Sequence, residues 1–290
     1  MLENEIFEGD YDLIISFYIL HYGMQLTLLS KKYNIPIVQC IRGNDVGKSV
    51  FQGENFGKLQ FILKSATAVT SVSDDLKKVA QVIAPKVRIE SFLNSIDPSK
   101  CASQSQKENT FTIASAGKFK FKKGISFLLE AVAGLDFDYK LKLIGDFNKD
   151  YEKEIFYKQL EIFGLNESKV ELTGNLKRSE VWDEIHSSHV FVQPSLFSEG
   201  CPNTLLEAIC LKVPIIASDV GAIPQIITHE ENGFLVGAGN FLAIKESIEK
   251  LYHRSSLGLE FSQEALRRLD INSQDIEKER WLSLIAELLS

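Results

Sequence analysis

The stretch SLFSEGCPNTLLEAICLKVPIIASDVGAIPQ, which runs from Ser195 to Gln225, decides the fold predicted for this chain. It joins a loop of turn-forming residues, SEGCPN, to the helix pattern TLLEAICLK and the strand pattern PIIAS. Asn203 or Thr204 is the predicted cap of the helix. Glu199 and Glu207 have seven residues between them. Because backbone N–H groups at a helix start attract anions, the stretch indicates a site for a polyhydroxy compound that carries phosphate.

Short apolar strand patterns alternate with helix patterns on both sides of this stretch, which predicts parallel sheets covered by helices. The segment PSKCASQSQKEN, residues 98–109, is polar and has no apolar period, so it is the predicted linker. The resulting domains are a first Rossmann-like domain over 1–97 and a second, doubly wound domain over 110–270. The apolar period predicts a helical tail over 262–289. Whether the helix at 271–290 packs back on the first domain stays open.

Composition is that of an ordinary globular protein, with 44% hydrophobic and 24% charged residues. A formal net charge of −7 argues against nucleic acid as a partner. The four cysteines form no close-spaced pair, which favours a reduced, cytoplasmic setting over a disulfide framework. The N-terminus does not have the pattern of a signal peptide, and no apolar run reaches the ~20 residues of a spanning helix. Peripheral contact with the inner face of a membrane stays open.

A second motif, GKFKFKKG from Gly117 to Gly124, directly follows a predicted strand. Taken alone, such a lysine-rich loop is more typical of an exposed basic turn than of a binding site. The five histidines show no metal-ligand spacing, so neither a metal nor another cofactor is predicted.

The order PS-x3-EG-x-P-x4-EA, followed by PIIAS-x2-G, resembles the E-x7-E signature of the retaining family-4 glycosyltransferases. These enzymes have the GT-B fold of two Rossmann-like domains. The resemblance covers nearly all of the chain. It also implies that the first domain is incomplete at its N-terminus, because the family carries several more strands before the first one predicted here.

The resemblance implies a role for each matching residue. Lys118, which stands where the family usually has arginine, and Lys123 would grip the diphosphate of a nucleotide sugar. Glu207 would bind the ribose, and Glu199 would lie near the donor sugar and act in catalysis with the two lysines. Fixed cations suit this reaction because negative charge grows on the leaving diphosphate.

Further substrate-binding positions follow from the same motifs. Arg42, in IRGND, stands where many relatives have a histidine, so no catalytic histidine is predicted, although an arginine still suits a phosphate or an acidic sugar. The other predicted binding residues are Gly117, Gly200, Cys201, Pro202, Asn203 and Thr204, with Gly174, Asn175 and Leu176 beside the nucleobase.

The predicted function is a retaining glycosyltransferase of the hexosyl type. It would move a sugar from a nucleotide-diphosphate donor to a hydroxyl of a glycan or a lipid-linked saccharide, as in the synthesis of cell-surface polysaccharide or lipopolysaccharide. Two alternatives remain. The incomplete first domain suits a nucleotide-sugar-binding subunit that needs a partner subunit for activity. A GT-B epimerase would bind the same donors, but the glutamate motif favours the transferase.

Overall fold

The computed structural model describes residues 9–47, 49–198, 200–269 and 273–290. Ten strands are assigned in these ranges: β1 Ile14–Phe17, β2 Ile37–Ile41, β3 Ala68–Ser71, β4 Ile89–Ser91, β5 Phe111–Ala116, β6 Tyr139–Ile144, β7 Val170–Leu172, β8 Val190–Gln193, β9 Ile215–Ser218 and β10 Phe234–Val236.

The helices of the described residues follow in chain order: α1 Ile19–Tyr33, α2 Asn44–Gly47, α3 Gly53–Lys64, α4 Asp74–Ile83, α5 Ile125–Ala133, α6 Asp150–Ile162, α7 Arg178–Ser187, α8 Asn203–Cys210, α9 Ile223–Ile226, α10 Phe241–His253, α11 Ser255–Leu269 and α12 Gln274–Leu289. Single 3-10 turns occupy Ser49–Phe51, Pro98–Lys100 and Phe121–Lys123.

The chain divides into two compact units. Unit 1 comprises Met1–Asn94, Ser198–Cys201 and Gln274–Ser290, and unit 2 comprises Ser95–Phe197 and Pro202–Ser273. Each unit contains one parallel sheet with helices between its strands, which is the doubly wound α/β arrangement expected from the alternating sequence pattern.

Unit 1 is built on a four-stranded sheet in the order β1-β2-β3-β4. Helix α12 belongs to this unit although it comes last in the chain. Its Leu284, together with the half-buried Trp281 and Leu288, packs on an apolar cluster of the sheet. The Trp281 ring meets the Phe92 ring edge-on, with 5.2 Å between the ring centroids. The predicted helical tail is therefore two helices, α11 in unit 2 and α12 in unit 1.

Unit 2 is built on a six-stranded parallel sheet in the order β10-β9-β8-β5-β6-β7. The predicted sixth strand is present as β10. From the central strand β5 the chain continues to β6 and β7 on one side, and then to β8, β9 and β10 on the other. The strand order therefore reverses between β5 and β8, where the carboxyl ends of the two strands open a crevice.

Candidate functional site

The two sequence motifs meet at the reversal point of the unit 2 sheet. The lysine loop Gly117–Gly124 follows β5, and the segment Pro194–Phe197, which leads into the glutamate motif, follows β8. Ligands of open α/β sheets bind in the crevice at this point. The topology alone thus makes this edge the candidate site of unit 2.

Backbone contacts hold the lysine loop against the end of β8. Leu196 N donates to Lys122 O at 2.8 Å. Gly124 has φ +68°, and a Cβ at this position would lie 1.9 Å from Pro194 O. A larger residue is excluded at Gly124 both by its backbone conformation and by this approach.

The start of the lysine loop lies against the turn after β6. Gly117 N donates to Ile144 O at 2.9 Å, and a Cβ at Gly145 would lie 2.0 Å from Gly117 O. Lys118 is exposed, whereas Lys123 is half-buried with its Nζ 3.6 Å from the position of a Cβ at Gly117. The loop therefore places two cations, Lys118 and Lys123, at the carboxyl edge of the sheet.

Helix α8 presents Glu207 from the other motif. Its N-cap position is Pro202, without a side-chain cap, so the prediction that Asn203 or Thr204 caps the helix is wrong. Both residues lie inside the helix instead, and Thr204 Oγ1 donates to Gln193 Oε1 at 3.4 Å. This bond ties the first turn of α8 to the end of β8.

The Glu207 carboxylate is buried and paired with Arg178. Nε and Nη2 of Arg178 lie 3.1 and 3.0 Å from Glu207 Oε1, and the two side chains are 67% and 9% exposed, respectively. The guanidinium also lies over the Trp182 ring, 4.9 Å from its centroid. Burial of a carboxylate is costly without a partner, and Arg178 supplies a charge-assisted one.

The turn Gly174–Asn175–Leu176 belongs to the same edge of unit 2. Gly174 and Gly145 form an isolated bridge, and Gly145 N donates to Thr173 Oγ1 at 3.1 Å. Gly174 has φ +72°, and a Cβ there would meet open space. The turn leads directly into α7, which carries Arg178.

Two thiols lie beside Glu207. Cys101 and Cys210 hydrogen-bond to each other, and burial raises the pKa of both thiols, with the neighbouring Glu207 charge acting in the same direction. Both side chains are therefore neutral thiols at neutral pH, which makes them poor nucleophiles.

Three predicted residues lie in unit 1. Gly200 has φ +75°, and a Cβ there would lie 2.6 Å from Arg42 O. The Arg42 guanidinium lies over the Phe17 ring, 5.8 Å from its centroid. Cys201 O accepts from Asn94 Nδ2 at 3.0 Å, and burial raises the pKa of the Cys201 thiol to about 11. The Cys201 carbonyl thus connects Cys201 to Asn94 within unit 1, and its thiol is buried.

The structure thus groups the predicted residues by unit. Gly117, Lys118, Lys123, Gly174, Asn175, Leu176, Pro202, Asn203, Thr204 and Glu207 belong to unit 2, whereas Arg42, Gly200 and Cys201 belong to unit 1. Glu199 lies outside the described residues. Sequence reasoning missed Arg178, for which the only local signal was its place just after the Gly174–Leu176 turn.

A family model described as glycosyl transferases group 1 matches residues 99–268. The chain belongs to the glycosyl transferases group 1 family. The match covers nearly all of unit 2, including both motifs, so the protein is a glycosyltransferase by family. Among the described helices, none is both long enough and apolar enough to cross a bilayer.

Relatives of this group 1 chain include longer proteins. An uncharacterized glycosyltransferase of Methanocaldococcus jannaschii is 29% identical over 278 residues, which are 90% of this chain and 73% of that protein. The putative teichuronic acid biosynthesis glycosyltransferase TuaC of Bacillus subtilis is 25% identical over 259 residues. That match covers 83% of this chain but 61% of TuaC.

Solved structures agree with the fold of this group 1 chain. The crystal structure of HepE from Anabaena in complex with UDP has a TM-score of 0.87 at 18% identity, and the match covers 99% of this chain and 81% of HepE. The prediction of two Rossmann-like domains of the GT-B class is confirmed.

Proposed function

We propose that this chain is a retaining glycosyltransferase of the family-4 type, which transfers a hexosyl group from a nucleoside-diphosphate sugar to a hydroxyl acceptor. The observation that carries the proposal is the contact of the lysine loop with the segment after β8, which leads into the glutamate-bearing helix α8, at the reversal point of the unit 2 sheet. The family membership supports group transfer, and the UDP complex of HepE supports a nucleotide donor.

The donor would lie along the carboxyl edge of unit 2. Lys118 and Lys123 face the diphosphate, whose charge they neutralise. The Glu207 carboxylate accepts hydrogen bonds from the two ribose hydroxyls, and the turn Gly174–Leu176 contacts the edge of the base. Arg178 holds the Glu207 carboxylate in place for the ribose. The Gly200–Thr204 segment would contact the sugar and the distal phosphate, and Arg42 is the proposed phosphate-binding or acid-binding residue of unit 1.

In the transfer step, the bond between the anomeric carbon and the diphosphate oxygen breaks, and the acceptor oxygen bonds to the same face of that carbon. The leaving diphosphate oxygen takes the acceptor proton. Lys118 and Lys123 stabilise the negative charge that develops on the diphosphate, and Glu199 stabilises the positive charge that develops on the sugar. The products are the glycosylated acceptor and a nucleoside diphosphate, and the scheme includes no metal ion.

The proposed acceptor is a growing cell-surface glycan or a lipid-linked saccharide in the cytoplasm. The name of TuaC, a putative enzyme of teichuronic acid biosynthesis, supports a polysaccharide acceptor.

A thermal-shift screen against nucleoside diphosphates and their sugars tests the donor assignment, because a ligand that binds only the folded state raises the unfolding midpoint. We expect the nucleoside diphosphate of one particular base to raise the unfolding midpoint. Glu207→Gln should weaken the binding of that nucleotide by about 1–3 kcal/mol through the loss of charge-assisted hydrogen bonds. Glu180→Gln, on the neighbouring helix, is the control for charge. Equal affinity of wild type and Glu207→Gln for every nucleotide would refute the role of Glu207.

A second candidate, a nucleotide-sugar-binding subunit that needs a partner, is favoured by one observation. In unit 1 the side chains of Ile15, Phe17, Tyr18 and Tyr22 are 37%, 46%, 62% and 59% exposed, an unusual apolar surface at strand β1 and its end. Release of nucleoside diphosphate from the donor by this chain alone, measured with and without a hydroxyl acceptor, separates the two candidates. The subunit alternative expects binding without release.

A further inference from the structure

A patch of exposed apolar side chains borders the lysine loop on unit 2. It consists of Phe121, Tyr151, Ile155 and Ile162, which are 71%, 55%, 50% and 76% exposed, and we refer to these four residues as the Phe121 patch. Phe121 N donates to Glu152 Oε1 at 3.3 Å, so the loop is attached to the start of α6. Large apolar side chains grouped in this way on a surface indicate an interaction site.

The patch follows one face of α6. At about 100° per residue, Tyr151, Ile155 and Ile162 fall in a single stripe along the helix axis. Phe156 and Leu160, on the other side of the helix, are 2% and 5% exposed and form part of the unit 2 core. The helix therefore has two apolar faces, of which the core needs one.

A cleft separates the loop from α6 and has a volume of about 300 Å³. Its lining combines apolar side chains with polar and charged ones: Phe121, Ile125, Phe147, Tyr151, Ile155 and Phe156 with Lys120, Ser126, Glu152 and Gln159. The patch is therefore not flat: Phe121, Tyr151 and Ile155 surround a hollow that has Lys120 and Glu152 in its lining.

Lysines border the Phe121 patch, although the whole chain has a net charge of −7, and Glu152 lies among them in the cleft lining. The loop contains four lysines and no acidic residue; Lys118 and Lys123 are assigned to the donor, which leaves Lys120 and Lys122 for this outer surface. Lys158 lies in the apolar stripe of α6, and Lys149 Nζ lies over the Tyr151 ring at 5.6 Å from its centroid. By the helical repeat, the acidic Glu154 and Glu161 fall on the flank of α6 turned away from the loop.

We propose that the Phe121 patch docks on the surface of an anionic lipid bilayer. Its aromatic and aliphatic side chains enter the region of the headgroups, while Lys120, Lys122, Lys149 and Lys158 extend around them to the lipid phosphates. A bilayer is the favoured occupant because apolar side chains bordered by lysines match the layering of an anionic membrane surface. This inference concerns the outer side of the lysine loop and does not depend on the donor assignment.

Flotation of the full chain with lipid vesicles, in the absence of nucleotide, tests this proposal. We expect binding to vesicles of phosphatidylcholine with phosphatidylglycerol, and much weaker binding to phosphatidylcholine alone. Lys158→Gln should weaken binding to the anionic vesicles by about fivefold, the factor expected for one lysine near such a surface. Lys64→Gln, an exposed lysine of unit 1, has the same change in net charge and should have no effect.

Two substitutions test the contribution of the apolar side chains to vesicle binding. Ile155→Ser and Phe121→Ser should each reduce binding, by about tenfold for a loss of 1.4 kcal/mol. Leu242→Ser is the matched control, since Leu242 is 55% exposed on α10 of the same unit. Ile155 is outside the proposed donor site, so Ile155→Ser should show the same thermal shift with nucleotide as the wild type. This retained shift is the control for correct folding of the variant.

Three results would overturn the proposal. Failure of the wild type to float with anionic vesicles is the first, and equal flotation of wild type and both serine variants is the second. The third is a concentration-dependent dimer, detected by light scattering, that Ile155→Ser abolishes, because the patch would then be a contact between copies of this chain.

Discussion

At the scale of single residues, the Arg178–Glu207 pair explains how a carboxylate can be kept buried at the edge of an open crevice. Arg178 is mostly exposed, so solvent weakens the interaction between the two charges. The contact of its guanidinium with the Trp182 ring restricts the side chain and compensates part of that loss. Arg178 is therefore a positioning residue for Glu207.

Arg178→Gln should lower the affinity for the nucleoside diphosphate by about 1 kcal/mol, or about fivefold, because Glu207 loses the partner that aims it. Isothermal calorimetry measures the change, and Arg178→Lys should restore part of it. Lys177→Gln removes the neighbouring cation and serves as the control. A fivefold loss in the Lys177 variant as well would assign the effect to net charge instead.

The imidazole of His189 makes the stability of unit 2 depend on pH. Its Nδ1 accepts from Thr112 N at 3.0 Å, and burial, together with the nearby Lys107, lowers its pKa below the ordinary value. Between the folded and the unfolded pKa, the unfolded chain binds more protons than the folded one. The contribution of His189 to stability is therefore complete above about pH 6.5 and is lost as the pH falls through that value toward the folded pKa.

His189→Asn, whose Oδ1 can still accept from Thr112 N, should show a smaller decrease in unfolding midpoint between pH 7.5 and 5.5 than the wild type. The measurement is thermal denaturation at several pH values, and His253→Asn controls for the loss of an imidazole from the same unit. If the wild type and His189→Asn lose the same amount of stability on acidification, His189 does not titrate in the expected way.

The predictions for the candidate site rest on signals that are local in sequence. The spacing of Glu199 and Glu207 and the eight-residue lysine loop can be recognised from adjacent positions. The Arg178–Glu207 contact, which joins residues 29 positions apart, depends on how α7 packs beside α8. No pattern of neighbouring residues encodes that geometry.

At the scale of elements, Gly124 fixes the position of the lysine loop. Gly124→Ala should destabilise the protein by at least about 1–2 kcal/mol, the cost of a left-handed conformation with a Cβ, because the close approach to Pro194 O adds to it. It should also weaken nucleotide binding, since the loop would move away from β8. Urea denaturation and calorimetry measure the two effects.

Gly57 provides the matched substitution. It lies inside α3, and a Cβ there would meet nothing within 4 Å. Gly57→Ala should therefore stabilise the protein by about 0.5–1 kcal/mol, the usual gain in a helix interior. If Gly124→Ala is as harmless as Gly57→Ala, the contact between the loop and β8 is not required.

The type and order of the elements followed from the sequence, whereas some of their ends did not. The alternation of apolar strands with amphipathic helices predicted both sheets because parallel strands are buried on both faces. The cap of α8 was predicted wrongly because Pro202, whose fixed φ suits the entry to a helix, takes the N-cap position ahead of Asn203. The helical period of the tail did not show its division into α11 and α12.

At the scale of the whole molecule, stability is divided between two cores. Leu284 is 2% exposed in unit 1, and Leu284→Ala should destabilise that unit by about 2–5 kcal/mol through lost burial and a cavity. Leu282, on the opposite face of α12, is 56% exposed, so Leu282→Ala should change little.

Calorimetry with and without nucleoside diphosphate locates the effect of Leu284→Ala. Units with separate cores can unfold in separate transitions, so the variant should lower one transition, and the ligand should still raise the other. Equal effects of Leu284→Ala and Leu282→Ala would contradict the packing of α12 on the unit 1 sheet.

The course of the chain through the two units also limits how this protein can be dissected. The polypeptide passes from one unit to the other after Asn94, after Phe197, after Cys201 and after Ser273. A single cut therefore cannot release both units as continuous polypeptides. A fragment that ends at Asn94 would lack α12 and leave Val38, Ala68 and Phe92 uncovered, so any genetic unit that encodes a complete first core has to extend through α12.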